Sequence, residues 1–133
     1  MIDRWEDEVL LPAVRLALGA RTDCVLFRNS TGLADTPSGS KVRYGLCKGG
    51  SDLIGTVRPS GRMICIELKS PGGKLSEDQK KFINLINLAG GYARTLQAQE
   101  KSAEGVERAI VEAHAMIDQA IATAGNWIGK TYS

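Results

Sequence analysis

Residues 50 to 69, Gly-Ser-Asp-Leu-Ile-Gly-Thr-Val-Arg-Pro-Ser-Gly-Arg-Met-Ile-Cys-Ile-Glu-Leu-Lys, restrict what this chain can fold into more than any other stretch. Two runs with strand character, Ser51 to Val57 and Met63 to Lys69, flank Arg58-Pro59-Ser60-Gly61, whose proline and glycine suit a tight reversal. A β-hairpin is expected. Because side chains alternate along a strand, Ile64, Ile66 and Leu68 share one face and Cys65, Glu67 and Lys69 the other. The first face reads as core, and the second carries a carboxylate beside an amine. A partner strand that brings Asp52 alongside would join two acids to a lysine, a set suited to a hard divalent cation. The competing account is a cross-strand salt bridge at the surface, a common feature of little energetic weight.

The 133 residues are expected to form a single domain with enough apolar content for a core. Net charge is only +2, yet positions 1 to 14 carry −3, positions 15 to 81 carry +6, and the remainder −1. The basic excess therefore coincides with the two acids, which permits binding to a polyanion. Cys24, Cys47 and Cys65 lack CxxC spacing and read as buried free thiols. Acidic residues crowd positions 3 to 8, unlike a signal peptide, and no apolar run reaches membrane-spanning length. A cytoplasmic protein is expected.

Flanking elements follow from periodicity. A first helix is expected from Asp3 to about Leu18, with Val9, Leu10, Ala13, Leu16 and Ala17 as its stripe, Asp3 as N-cap and Gly19 as stop; Pro12 marks a kink or a later start. Glu6 lies on that stripe and Glu8 does not. Cys24 to Arg28 and Val42 to Leu46 read as strands, with loop composition at 30–32 and 35–40. Gly49 and Gly50 either admit a ligand close to the backbone or shape a turn. Ser76-x-x-Gln79 is a capping box opening a helix to about Ala89, with Phe82, Ile83, Leu85, Ile86 and Ala89 as its apolar face. Tyr92 to Leu96 is a further strand. A helix from about Ala103 to Ala124 carries Val106, Ile110, Ala113, Ile117 and Ile121, part of which is a candidate dimer surface. His114 has no second histidine or cysteine at ligand spacing, so helix packing is its expected role.

Hydrolysis of a phosphodiester needs an activated water, neutralisation of charge on the pentavalent phosphorane, and help for the leaving oxygen. Asp52 and Glu67 with a divalent ion, and Lys69 two residues along the same face, would meet those needs. At this point the chain resembles the VRR-NUC domain of the PD-(D/E)XK nuclease superfamily, in particular its small stand-alone phage and bacterial members. The resemblance runs from about Glu6 to Ile110. It is carried by Phe27-Arg28-Asn29 with Gly32, by Gly50-Ser51-Asp52-Leu53-Ile54-Gly55, by Ile66-Glu67-Leu68-Lys69, by Leu75-Ser76-x-x-Gln79, and by Gly90-Gly91 before the last strand.

The resemblance implies an α/β fold: a restriction-endonuclease-like core at about 3–110, with a mixed sheet flanked by helices, followed by a C-terminal helical extension over 111–133. It implies a Mg²⁺ or Mn²⁺ site with Asp52 and Glu67 as metal-binding acids, the Leu68 carbonyl as a further ligand, Lys69 as the catalytic lysine, and Glu6 as the acid of the first helix. Gln79 matches the glutamine after that motif and would face the site while capping its helix. The proline usual before the first acid is replaced by Ser51. The implied activity is that of a homodimeric endonuclease selective for branched DNA such as four-way (Holliday) junctions. Arg28, Lys41, Arg43, Lys48, Lys74, Lys80 and Lys81 are the candidate DNA contacts. The alternatives are a non-catalytic DNA-binding module, drawing on the same basic stretch, and an oligomerisation module built on the long last helix and the Trp127, Ile128 and Tyr132 tail.

Overall fold

The computed structural model describes residues 4–30, 32–125 and 131–133; Asp3, Trp127 and Ile128 lie outside them. After helical Arg4 and Trp5, a π-helical turn, Glu6–Leu10, runs directly into α1, Leu11–Gly19. Pro12 sits in the first turn of α1, where its missing N–H costs least. The extra residue of the π turn rotates the buried stripe. Leu10, Leu11, Val14 and Leu18 face the core, whereas Val9 and Leu16 of the expected stripe are exposed, Leu16 to 80%. A uniform 3.6-residue period could not foresee that shift.

Six strands follow: β1 (Cys24–Arg28), β2 (Gly32–Asp35), β3 (Lys41–Tyr44), β4 (Leu53–Val57), β5 (Met63–Lys69) and β6 (Tyr92–Gln97). Helix α2 (Glu77–Leu88) joins β5 to β6, and α3 (Ala103–Ala122) comes last. The main sheet has the order β1-β4-β5-β6, antiparallel except for the parallel β5–β6 pair, so it is mixed and flanked by helices. Gly55 makes the β1–β4 approach possible, since a Cβ there would fall 1.7 Å from the Val25 carbonyl oxygen. β2 and β3 pair only with each other. β2 was not foreseen, because Gly32 and Asp35 at its ends carry loop composition and no core-facing alternation marks it.

The expected hairpin is β4 and β5, with Leu53 opposite Ile66 and Thr56 opposite Met63. Arg62, at its turn, is 8% exposed and ties three parts of the fold together. Its guanidinium donates to Gly90 O at 2.8 Å, Gly91 O at 3.3 Å, Ala120 O at 2.8 Å and Thr123 Oγ1 at 2.9 Å.

One core lies between the sheet and α1 with α3, built on Leu53, Ile64, Ile66, Leu68, Tyr92 and Leu96. A second, smaller one lies under α2 and joins Cys65, Phe82, Ile83 and Ala93. β5 is therefore buried on both faces, as a strand with a parallel neighbour and helices on either side should be. Helix α2 buries Phe82 and Ile83 but leaves Leu85 and Ala89 exposed. Asn87 is buried instead, donating to Ala93 O at 3.0 Å and accepting from Ala93 N at 2.8 Å. In α3 the buried line is Gly105, Ala109, Ala113, Met116, Ile117 and Ala120, rotated from the expected one towards the small residues that let α3 lie close to α1. The expected dimer face on α3 is thus largely spent on the protein's own core. Cys24 and Cys65 are buried, burial pushing the Cys65 thiol up to about 12, but Cys47 is exposed, so the expectation of buried thiols fails there. His114 contacts Arg21 at 3.0 Å. Among the described residues no helix is long and apolar enough to cross a membrane.

Candidate active site

Glu67 and Lys69 sit on the α2-facing side of β5, which like β4 is hydrogen-bonded on both edges. Glu67 is 2% exposed and Lys69 half-buried. Asp52 immediately precedes β4, and its Oδ2 accepts the Leu68 amide at 2.8 Å. That bond brings the first acid to the second, as the hairpin pattern predicted. Asn29 fixes the approach: its backbone N–H donates to Asp52 O at 2.7 Å, its side-chain amide donates to Ser51 O at 3.0 Å, and its side-chain oxygen accepts from Leu46 N at 3.1 Å. The role of Asn29 is invisible in the sequence without this loop geometry.

Glu6 enters from the π turn, and its Oε2 accepts the Ser70 amide at 2.9 Å. Glu8 is exposed and stays outside the group. Glu6 is half-buried, as are Trp5 and Asp7 beside it, whereas Glu8 lies on the exposed side of the turn.

The electrostatic effect of the cluster is seen at Glu67. Burial, then the hydrogen bond with Asp52 and the negative charge of Asp52, with a smaller contribution from Glu6, pushes the Glu67 carboxyl up to about 10 against the opposing pull of Lys69. Three acids and one lysine in a desolvated corner carry an excess of negative charge that a cation would relieve. The donors are all carboxylate oxygens, the chemistry of Mg²⁺, Mn²⁺ or Ca²⁺ and not of a soft metal. Among the described residues no set of three or more His, Cys, Asp or Glu donors is arranged to chelate an ion unaided. Asp52 and Glu67 thus fit an ion that keeps most of its waters, the usual behaviour of Mg²⁺.

Gln79 completes a reciprocal capping box: its side-chain oxygen accepts from Ser76 N at 2.9 Å and its own N–H donates to Ser76 Oγ at 3.1 Å. Gly49, at φ 84°, lies against the Asp78 backbone, where a Cβ would come within 2.4 Å. The Gly49-Gly50 turn therefore packs against the start of α2, which decides between the two readings of the glycines. Ser51, in the place of the family proline, is fully buried, with a hydroxyl that has no partner among the described residues.

The candidate DNA contacts differ in their surroundings. Arg28, Arg43, Lys74 and Lys81 are exposed. Lys41 is paired with Asp35, Lys48 with Asp78 at 3.3 Å, and Lys80 with Glu77 at 3.2 Å, so these three already hold acids. Such exposed pairs are weak and exchange readily for a phosphate.

The model of the VRR-NUC domain matches residues 5–100, which include every acid and the lysine of this corner. The chain belongs to the VRR-NUC domain family. It is a nuclease-type, DNA-processing domain, and DNA is the substrate that membership implies. The match ends before α3, although α3 supplies a large share of the VRR-NUC chain's core. No curated protein matches the chain.

Proposed function

We propose that this VRR-NUC protein is a divalent-metal-dependent endonuclease that hydrolyses DNA phosphodiesters, selective for branched DNA such as four-way junctions and acting as a homodimer. The observation that carries the proposal is the buried Glu67 carboxyl, two residues from Lys69 on β5 and next to Leu68, whose amide Asp52 accepts, in a corner with more acid than base. Asp52 and Glu67 would hold Mg²⁺ or Mn²⁺, with the Leu68 carbonyl and Glu6 completing or orienting the set. The ion, when bound, supplies Lewis-acid stabilisation of the charge that develops on the phosphate.

The chain's own groups do the rest. Lys69 donates hydrogen bonds to the attacking water or to the phosphorane oxygens. Glu6 holds the Ser70 amide and so fixes the strand end that carries Lys69. Gln79 anchors the start of α2 and offers its amide N–H₂ to the substrate. Arg28, Arg43, Lys74 and Lys81, with Lys41, Lys48 and Lys80 released from their acids, contact phosphates and set the orientation of the strands. Two symmetric cuts across a junction need two sites related by a two-fold axis, which is the reason for a dimer.

The test is incubation with four-way junction, flap and linear duplex DNA in Mg²⁺, Mn²⁺ or EDTA. Cutting near the branch point, absent in EDTA and lost in Glu67→Ala, is the expected result. No cutting of any substrate with either ion, or unchanged cutting by Glu67→Ala, overturns the reading.

A further inference from the structure

Beside the acid–lysine corner lies a pocket of about 290 Å³ lined by Lys69, Leu75, Thr95, Gln97, Gln99 and Tyr132, with Gly73 and Glu112 also on its wall. Its position follows from strand register. In the parallel β5–β6 pair Thr95 is the partner of Glu67, and Gln97 the partner of Lys69. Thr95 and Gln97 therefore lie one strand spacing, roughly 4.8 Å, from Glu67 and Lys69, and Lys69 itself borders the pocket.

Its lining points to a particular ligand chemistry. Thr95, Gln97 and Gln99 are neutral side chains that can donate and accept hydrogen bonds, as the edge of a nucleobase requires. Leu75 and Tyr132 add apolar and aromatic surface of the kind on which a base stacks. Lys69 is the one cation among the described lining residues and lies two positions along β5 from Glu67, while Glu112 adds a carboxylate that disfavours a second phosphate. The Thr95 hydroxyl is shut off from solvent and has no partner among the described residues, so a χ1 rotation that turns it into the pocket would gain it a bond that it now lacks. The pocket is also held in shape: the Gln97 side chain donates to Gly73 O at 2.8 Å and Ser70 O at 3.3 Å, and the Gln99 side chain donates to Gln97 O at 3.3 Å.

We infer that this pocket receives one unpaired nucleobase of the DNA strand whose phosphate lies at Lys69, with Thr95 and Gln99 reading its edge. A base still paired in a duplex cannot reach such a pocket without leaving the stack, and an unpaired one at a branch point pays far less to do so. The pocket thus gives the site a reason to prefer branched over continuous duplex. The inference rests on the nuclease reading for the position of the phosphate, but its test needs no cleavage.

Binding of four-way junctions is measured in EDTA, with an abasic nucleotide placed in turn at each position around the branch point. An abasic nucleotide keeps the sugar and phosphate and removes only the base. The expected result is that one position weakens binding by the wild type on the order of tenfold, the scale of one stacked base. In Thr95→Val and in Gln99→Leu, the same abasic substitution costs less than about twofold, because the base has already lost its contacts. Gln99 is exposed, so its replacement spares the fold even if that of Thr95 does not. No sensitive position, or equal sensitivity in wild type and both variants, overturns the inference. Failure of the wild type to bind any junction overturns it together with the DNA reading. A sensitive position that disappears in the variants, in a protein that cuts nothing, leaves the base pocket standing and removes only the hydrolysis.

Discussion

The Glu6 carboxylate accepts the amide of Ser70 at 2.9 Å, joining the first helical turn to the residue that follows Lys69. A charged acceptor on a partly buried amide contributes about 1.5–3 kcal/mol. Glu6→Ala should therefore destabilise the protein by that order, whereas Glu8→Ala, at an exposed position, should stay within about 0.5 kcal/mol. Urea denaturation of the two variants compares them directly. Equal effects would mean that the bond to Ser70 contributes nothing.

Glu67 makes metal-free stability depend on pH with a definite sign. Its carboxyl is raised from an ordinary 4.5 to about 10, so the folded protein holds a proton that the unfolded chain releases. The stabilisation is complete below about pH 4.5 and is lost as pH rises towards about 10. Glu67→Gln, which keeps the shape without the ionisation, should flatten that slope and be more stable than wild type at pH 8 in EDTA. Thermal melts across this range check it, and a wild-type slope retained in the variant would refute the assignment.

Adding Mg²⁺ or Mn²⁺ at pH 8 should raise the melting temperature of the wild type, because an ion that binds only the folded state stabilises it by mass action. The same addition should release protons, since Glu67 must ionise to take the ion. Asp52→Asn should abolish both effects. EDTA should restore the original melting temperature.

Lys69→Met should lower turnover by about 10²–10³ while leaving junction affinity within a few-fold, because the amine acts where charge develops and many other cations hold the phosphates. Single-turnover rates with binding measured in parallel separate the two. A variant that cuts normally would remove Lys69 from the chemistry.

Arg62→Met should be among the most damaging single changes outside the acid corner, costing about 3 kcal/mol or more, because four acceptors on two chain segments lose their donor at once. Arg62→Lys should recover only part, as an ammonium lacks the planar fork that reaches Gly90, Gly91 and Ala120 together. The midpoint of urea unfolding distinguishes them.

The β4–β5 hairpin and the company of Glu67, Lys69 and Asp52 were legible because strand alternation is a local rule that the sheet obeys. Ser76 and Gln79 were legible for a similar reason, since a capping box is closed within four residues. What stayed hidden depends on contacts made at a distance. The π turn shifts the stripe of α1 by one position, and no local signal marks it. Asn87 is buried in a helix that reads as polar there because Ala93, on another element, needs both its backbone bonds. Arg62 looks like a surface turn residue until the end of α3 arrives over it. Thr95 and Gln97 join the corner only once β6 is known to run parallel to β5, and parity along β6 would then have found them.

β5 is hydrogen-bonded along both edges and covered on both faces, whereas β2 and β3 hold only each other and are exposed along almost their whole length. Amide exchange in the first should need global unfolding, and in the second only a local opening. Glu67 and Lys69 are thus mounted on a strand expected to open slowly, while Lys41 and Arg43 ride on a hairpin expected to open sooner. On the proposed function, a domain built this way would bend its grip around DNA branches of differing angle without loosening the geometry of Glu67 and Lys69.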